Sequence, residues 1–237
     1  MSLDRNKRVL RNLRVFKSGE VHRRALYEEL LDDASALKRD LLKFRIPFVG
    51  LIEDVGDPCT PPDHFLAIAR CYRLATLLEL YRGFPELAKS QTVVEQAVEM
   101  PESDDKTYLI LGLAFGVLGI LESTPINSGT VSIQLLPLLI AGSALGVAPD
   151  QSHNTDAGKI SLRQTVMIWR GFVRQRILYL CVAIGLRPVN HAALILEEVW
   201  SRMDMETGDS DDNDGSLANK VHWMDVMSEK RLETMFG

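Results

Sequence analysis

The stretch that decides the fold is Leu135 to Gly146, LLPLLIAGSALG, in which no residue is charged. A second run upstream, Tyr108 to Leu121 (YLILGLAFGVLGIL), is also free of charge. Helices that are apolar on every face lie in the centre of a large helical protein or cross a membrane. A crossing needs about twenty apolar residues, and the upstream run stops at Glu122 before reaching that length. The two runs therefore predict a buried apolar central helix pair and no membrane span.

Composition is that of an ordinary globular protein with enough apolar material for a sizeable core. Of the 237 residues, 46% are hydrophobic and 25% are charged. The net charge of -5 argues against nucleic-acid binding by the chain as a whole, because binding to the phosphate backbone relies on clustered Lys and Arg. The three cysteines never approach a C-x-x-C spacing, which indicates neither a disulfide framework nor a zinc site.

Apolar spacing outside the central pair is helical, and no segment shows the sustained alternation typical of a strand. We therefore predict an all-α fold, a single helical-repeat-like bundle of about eight to ten helices. Glycines near one face of the upstream apolar run predict the close approach of a neighbouring helix; they are Gly112, Gly116 and Gly119. The other predicted helices are Val21 to Phe44, His64 to Arg82 with Asp63 as N-cap, Leu87 to Met100, Ser161 to Gly185, Pro188 to Met203, and Ala218 to Phe236.

The chain divides into two parts that we expect to form one compact domain. Residues 1–45 are predicted to be N-terminal amphipathic helices, and residues 46–237 a larger helical domain. Within the second part, the acidic sequence around DMETGDSDDNDG predicts a flexible loop over residues 203–217.

The acidic loop also raises the hypothesis of a calcium site, which its sequence does not support. Ser210, Asp212, Asp214 and Gly215 match four positions of an EF-hand loop. However, Ser210 lacks the first carboxylate, and Val221 stands where a bidentate Glu is needed. We therefore predict a solvated loop without a metal.

Signatures of catalysis and of cofactor binding are missing from the sequence. The five histidines occur singly, without a metal-ligand spacing, and no phosphate-binding loop or nucleophile elbow is present. We predict no cofactor and no enzymatic activity. An unrecognised enzyme is the less favoured alternative, and it would need a cleft of ionisable groups with perturbed pKa values.

Four segments, taken in order, resemble one known family. They are Arg73 to Arg82 (RLATLLELYR), Leu136 to Gly142 (LPLLIAG), Glu197 to Trp200 (EEVW) followed by Asp204, and His222 to Met227 (HWMDVM). The chain resembles the fungal-specific transcription factor domain, the helical regulatory region of zinc binuclear cluster activators, including sterol-uptake regulators. The resemblance spans residues 63–237. It departs from the family at Leu136, where an aromatic residue is expected, at Ser143, where a polar or acidic residue often stands, and in lacking the six-cysteine cluster.

The resemblance implies a regulatory domain that controls attached DNA-binding and activating regions. Control would act through ligand sensing or self-association, with a hydrophobic small molecule or a second copy as partner. DNA would be contacted only through a zinc-cluster domain that this chain does not contain. The implied location is the nucleus, or shuttling between cytoplasm and nucleus. The alternative is an interaction scaffold for dimerisation or coactivator docking that binds no ligand.

Apolar side chains on the central helices and on the helix around Trp169 are the candidates for a ligand pocket. Such pockets are lined mainly by hydrophobic and aromatic residues. The competing interpretation is that these side chains simply fill the core. The candidate ligand-binding residues are Leu111, Phe115, Leu136, Ile140, Trp169 and Phe172.

Overall fold

All but one of the helices predicted from apolar spacing are found in the computed structural model, which describes residues 20–54, 56–89, 106–146, 161–209 and 221–232. These ranges contain seven α-helices and no strand, so the all-α prediction is confirmed. The predicted number of eight to ten helices is slightly too high for these ranges, and the predicted repeat-like arrangement is slightly inaccurate. The helices are α1 Glu20–Lys43, α2 Pro62–Gly83, α3 Lys106–Ser123, α4 Leu135–Ser143, α5 Leu162–Ile184, α6 Arg187–Asp209 and α7 Trp223–Glu229.

The central apolar pair consists of α3 and α4, which pack against each other and against α2. Every residue of α4 except Leu136 is buried. Most of α3 is buried as well, and a strip from Phe115 to Ile120 contains half-buried positions. The prediction of a buried apolar pair is confirmed. No helix of the described ranges has the length and apolar character needed to cross a membrane.

Of the glycines predicted to allow close helix packing, Gly119 does not do so, whereas Gly142, which is outside that set, does. A Cβ atom added to Gly119 would meet nothing within 4 Å, so the prediction for that residue is wrong. At Gly142 in α4, a Cβ atom would lie 3.1 Å from Val173 Cγ1 and 3.2 Å from Leu196 Cδ1. Gly142 therefore lets α5 and α6 approach the central helix closely.

Local signals place both ends of α5 where the sequence predicted them. Ser161 and Gln164 form a reciprocal capping box, in which each side chain bonds the backbone N–H of the other residue. Gly185 ends the helix with φ 69°, in the left-handed region that favours glycine. The next helix, α6, has Pro188 in its first turn, as predicted.

The N-terminal part packs onto α2 through a small hydrophobic cluster of its own. Leu30, Ala34 and Leu37 of α1 contact Leu80 and Phe84 at the end of α2. The start of α2 differs from the prediction, because the helix begins at Pro62 with Pro61 as N-cap. Proline suits the first turn, where its missing N–H has no intrahelical partner. Asp63 therefore lies inside the first turn and is not the cap.

Helix ends toward the C-terminus also differ from the prediction. The helix predicted to stop near Met203 continues as α6 to Asp209, so residues 204–209 are helical where a loop was predicted. The remainder of that loop lies outside the described residues. The last helix is shorter than predicted, since α7 covers only Trp223–Glu229. Of the helix predicted from Leu87 to Met100, the first residues form a 3-10 turn, Pro85–Lys89, and residues 90–100 lie outside the described residues.

Candidate functional site

The four segments that carry the family resemblance meet at the C-terminal end of α4. Arg82 at the end of α2 donates from Nη1 to Ser143 Oγ over 2.8 Å. From α6, Trp200 Nε1 donates to the carbonyl oxygen of Gly142 over 2.9 Å. The segment before α7 joins them because Arg82 Nη2 donates to the Val221 carbonyl oxygen over 3.0 Å. Segments far apart in the sequence therefore form one contiguous site.

Glu79 supplies the buried carboxylate of this site, and the whole residue is only 8% exposed to solvent. His222 Nε2 lies 2.8 Å from Glu79 Oε2, and Trp223 Nε1 donates to Oε1 over 3.3 Å. The other ring nitrogen of His222, Nδ1, accepts from the Met224 backbone N–H over 3.2 Å. Nε2 therefore carries the proton and donates it to Glu79. We call the group Glu79, Arg82, Ser143, His222 and Trp223 the polar junction.

The polar junction keeps a charged carboxylate and a charged guanidinium in the interior. Burial raises the pKa of Glu79, but the interactions with His222 and Arg82 and the hydrogen bond from Trp223 outweigh it, so the pKa lies below the ordinary carboxyl value. Burial lowers the pKa of Arg82, and the charge of Glu79 partly offsets that effect. An arginine stays protonated in proteins. At neutral pH the two charges therefore compensate each other, over a distance of 3.5 Å.

A second arginine, Arg170, bonds the backbone just after the end of α4. Arg170 of α5 donates from Nε to the Leu145 carbonyl oxygen over 2.9 Å. Its two terminal nitrogens form a bidentate pair with Asp204 of α6, at 2.8 and 2.9 Å. Arg170 and Arg174 also lie over the ring of Trp200, 5.2 and 4.8 Å from its centroid. Side chains from three helices therefore anchor the last turn of α4 and the residues after it.

The predicted ligand-binding residues are only partly brought together. The rings of Phe115 and Trp169 stack with centroids 6.2 Å apart, and Trp169 meets Phe172 edge-on at 5.5 Å. These three side chains, which we call the aromatic group, are half-buried. Leu111 and Ile140 are buried in the central core, and Leu136 packs against that core from a half-buried position.

Most residues of the polar junction lie in the segments that carry the family resemblance, but the sequence analysis predicted no role for them. One signal was available, because Glu79 and Arg82 are the two charges in the apolar run LATLLELYR and are three residues apart on a helix. A second signal was Ser143, at a position where the resemblance implies a polar or acidic residue. That position faces Arg82.

Metal-ligating side chains do not cluster in the described ranges. The calcium hypothesis rested on Ser210 to Gly215, and these residues lie outside what the structure describes. Val221, which occupies the last ligand position of that hypothesis, is buried.

Comparison with known proteins identifies the family. The chain belongs to the fungal specific transcription factor domain family, whose model matches residues 2–237. The resemblance is therefore confirmed, and it extends over more of the chain than residues 63–237. The comparisons with curated proteins and with solved structures give no match. Membership of this family assigns the chain a role in the regulation of transcription.

Proposed function

We propose that this chain is the regulatory domain of a fungal transcription factor and that the polar junction sets its state. One observation supports the proposal: the C-terminal segment, residues 221–232, is tied to the core through the buried Glu79 and Arg82. In this proposal the chain is one compact domain that acts in the nucleus or shuttles between cytoplasm and nucleus. An attached zinc-cluster domain would contact DNA.

The C-terminal segment is suited to act as a switch because its helix, α7, depends on packing against the rest of the domain to stay folded. Helix α7 has seven residues, and isolated helices of that length are not stable in water. Trp223 and Val226 bury their side chains, and α7 packs against α6. A buried ion pair adds little net stability, whereas loss of one partner is costly. Release of the segment would therefore take two donors from Glu79 and expose the side chains of Trp223 and Val226.

Replacing His222 with alanine tests the switch. We expect the variant to raise hydrogen exchange of the α7 backbone amides at least about tenfold, because losing the hydrogen bond to the charged Glu79 costs roughly 1.5 kcal/mol. The variant also loses the N-cap of α7, the hydrogen bond from Met224 N–H to His222 Nδ1, which adds to the increase. Transcription from a reporter driven by the whole factor should change as well. The matched control is His191→Ala, a histidine of α6 outside the junction, which should alter neither measurement. Unchanged exchange in α7, or unchanged reporter output, would contradict the proposal.

A second function, binding of a hydrophobic effector, is favoured by the aromatic group. Phe115, Trp169 and Phe172 present half-buried rings where α3 and α5 meet. Aromatic rings contribute large apolar contact areas in ligand sites. An effector that binds one state of the domain more tightly would shift the balance between the states.

Ligand titration distinguishes an effector site from a filled core. With oleate and ergosterol as probes, we expect saturable quenching of tryptophan fluorescence, and native mass spectrometry should show one bound molecule. Trp169→Leu should abolish the quenching, because Trp200 and Trp223 are buried elsewhere in the structure. Trp223→Phe, the matched control, should retain it. If neither probe binds at micromolar concentration, the effector-binding function is contradicted. The interaction scaffold, which binds no ligand, would then be the favoured function.

A further inference from the structure

Thr60 lies at the end of an exposed loop and is followed directly by two prolines. Residues 56–59 are exposed, and Thr60, just before α2, is half-buried. A proline at the next position favours an extended backbone at Thr60, and Pro61 is itself extended, with φ -62° and ψ 156°. Proline-directed protein kinases bind extended segments in which proline directly follows the modified residue. A segment that is already extended loses less conformational freedom on binding, so Thr60 suits such a kinase.

The Thr60 side chain forms the contact between this loop and the loop after α3. Its hydroxyl donates to Asp57 Oδ2 over 2.7 Å. A Cβ atom added to Gly129 would overlap Thr60 Oγ1 and would lie 3.3 Å from Thr60 Cβ. Beside this contact, the Gly129 backbone N–H donates to the Cys59 carbonyl oxygen over 2.9 Å. The two loops therefore meet closely because residue 129 has no side chain, and a group added to Thr60 Oγ1 would have to turn away from Gly129 or push it aside.

Charge also opposes a phosphate in the closed contact. The hydrogen bond from Thr60 and the bond from the Cys59 N–H hold the pKa of the Asp57 carboxyl below its ordinary value, so Asp57 is charged at neutral pH. A phosphate on Thr60 would remove the proton that Asp57 accepts and would place about two negative charges beside it. The bond between the two side chains would therefore become a repulsion.

The start of α2 offers such a phosphate little compensation. The N-terminus of a helix normally attracts phosphate through its free backbone N–H groups. Here Pro61 is the N-cap and Pro62 is the first helical residue, and neither has an N–H to donate. Asp63 adds a carboxylate in the first turn. A phosphate on Thr60 would therefore favour a conformation in which residues 57–60 have moved away from the loop after α3.

We propose that Thr60 is a phosphorylation site for a proline-directed protein kinase and that the phosphate keeps residues 57–60 apart from Gly129. Thr60 Oγ1 attacks the γ-phosphorus of ATP, the bond from that phosphorus to the bridging oxygen of ADP breaks, and the hydroxyl proton passes to a base of the kinase. The contact has to open before the kinase can bind, and surface loops open more readily than the core. The phosphate then makes a transient opening a lasting one.

A second Thr-Pro pair in the chain provides an internal control. Thr124, followed by Pro125, is the other place in the sequence where a serine or threonine precedes a proline. Thr124 is only 3% exposed, and its hydroxyl donates to the Ile120 carbonyl oxygen over 2.9 Å. The two pairs therefore share the sequence that the kinase recognises and differ in their accessibility.

Incubation of the full chain with MgATP and either a cyclin-dependent or a mitogen-activated protein kinase, followed by peptide mass spectrometry, tests the site. We expect phosphate at Thr60 and none at Thr124. Thr60→Ser keeps a hydroxyl group before the proline and should be modified, whereas Thr60→Val should not. Gly129→Ala should be modified faster than the wild type, because the added methyl group displaces the Thr60 hydroxyl. Gly119→Ala is the matched control and should keep the wild-type rate, since a Cβ atom there meets nothing within 4 Å.

Hydrogen exchange measures the effect of the phosphate on the contact. In the phosphorylated chain, exchange of the Gly129 amide should rise about tenfold, because its hydrogen bond to the Cys59 carbonyl oxygen is lost. The polar junction lies at the other end of α2 and has no residue in common with this contact. A result for one of the two proposals therefore does not decide the other.

Four results would overturn the proposal. They are the absence of phosphate at Thr60 with both kinases, modification of Thr124 as fast as that of Thr60, equal rates for Gly129→Ala and Gly119→Ala, and Gly129 amide exchange that the phosphate leaves unchanged. Circular dichroism should show that all variants keep the helical content of the wild type.

Discussion

Replacement of Glu79 by glutamine is expected to lower the free energy of unfolding by about 3–5 kcal/mol, the cost of removing one partner of a buried ion pair. The amide keeps the shape of the side chain but leaves the buried guanidinium of Arg82 without its counter-charge. The amide nitrogen would also face donors, since His222 and Trp223 both donate to this side chain. Urea denaturation of wild type and variant at pH 7 measures the difference.

Glu28→Gln is the matched control for this experiment. Glu28 pairs with Arg24 on the exposed face of α1, where ion pairs contribute at most about 1 kcal/mol. A loss of stability in Glu79→Gln no larger than that of Glu28→Gln would show that the carboxylate charge is not needed in the junction.

The same carboxylate predicts a loss of stability in acid. Since the folded-state pKa of Glu79 is below its ordinary value of 4.5, the contribution of Glu79 is fully present above that pH. The contribution is lost as the pH falls from 4.5 through the folded-state pKa. In Glu79→Gln, the decline of unfolding free energy below pH 4.5 should be shallower than in the wild type.

Truncation of Trp200 to alanine is expected to cost about 3–5 kcal/mol, as for other fully buried large aromatic side chains. Trp200 is only 2% exposed, and its loss also leaves the Gly142 carbonyl oxygen without a donor. Thermal and urea unfolding would measure the effect. Trp169→Ala is the matched control, and its half-buried ring should cost less than half as much. Equal costs at the two positions would contradict the anchoring role of Trp200.

Helix ends with local signals could be predicted from the sequence, and ends set by tertiary contacts could not. Ser161 and Gly185 bound α5 because a capping box and a left-handed glycine act within a few residues. The end of α6 was placed too early because its acidic residues are typical of a loop. Asp204 lies in the helix, where it bonds to Arg170 of α5, a contact that no local pattern encodes.

The apolar core around the polar junction could be predicted from the sequence, but the polar junction itself could not. Periodicity identified the central helices, since burial of an apolar face needs no knowledge of the partner. The hydrogen bond between Glu79 and His222 joins residues 143 positions apart. Such a pairing depends on how the helices are arranged, and only the two charges in an apolar run indicated that Glu79 and Arg82 need partners.

The long-range contacts of Glu79 have a consequence during protein synthesis. The donors His222 and Trp223 leave the ribosome long after α2, so the core can assemble while Glu79 and Arg82 still lack three of their partners. A product that stops before Val221 would keep these two charges in its interior with those contacts missing, and it would unfold more often than the complete chain. Proteases act on such transiently unfolded chains, so degradation would select against incomplete products.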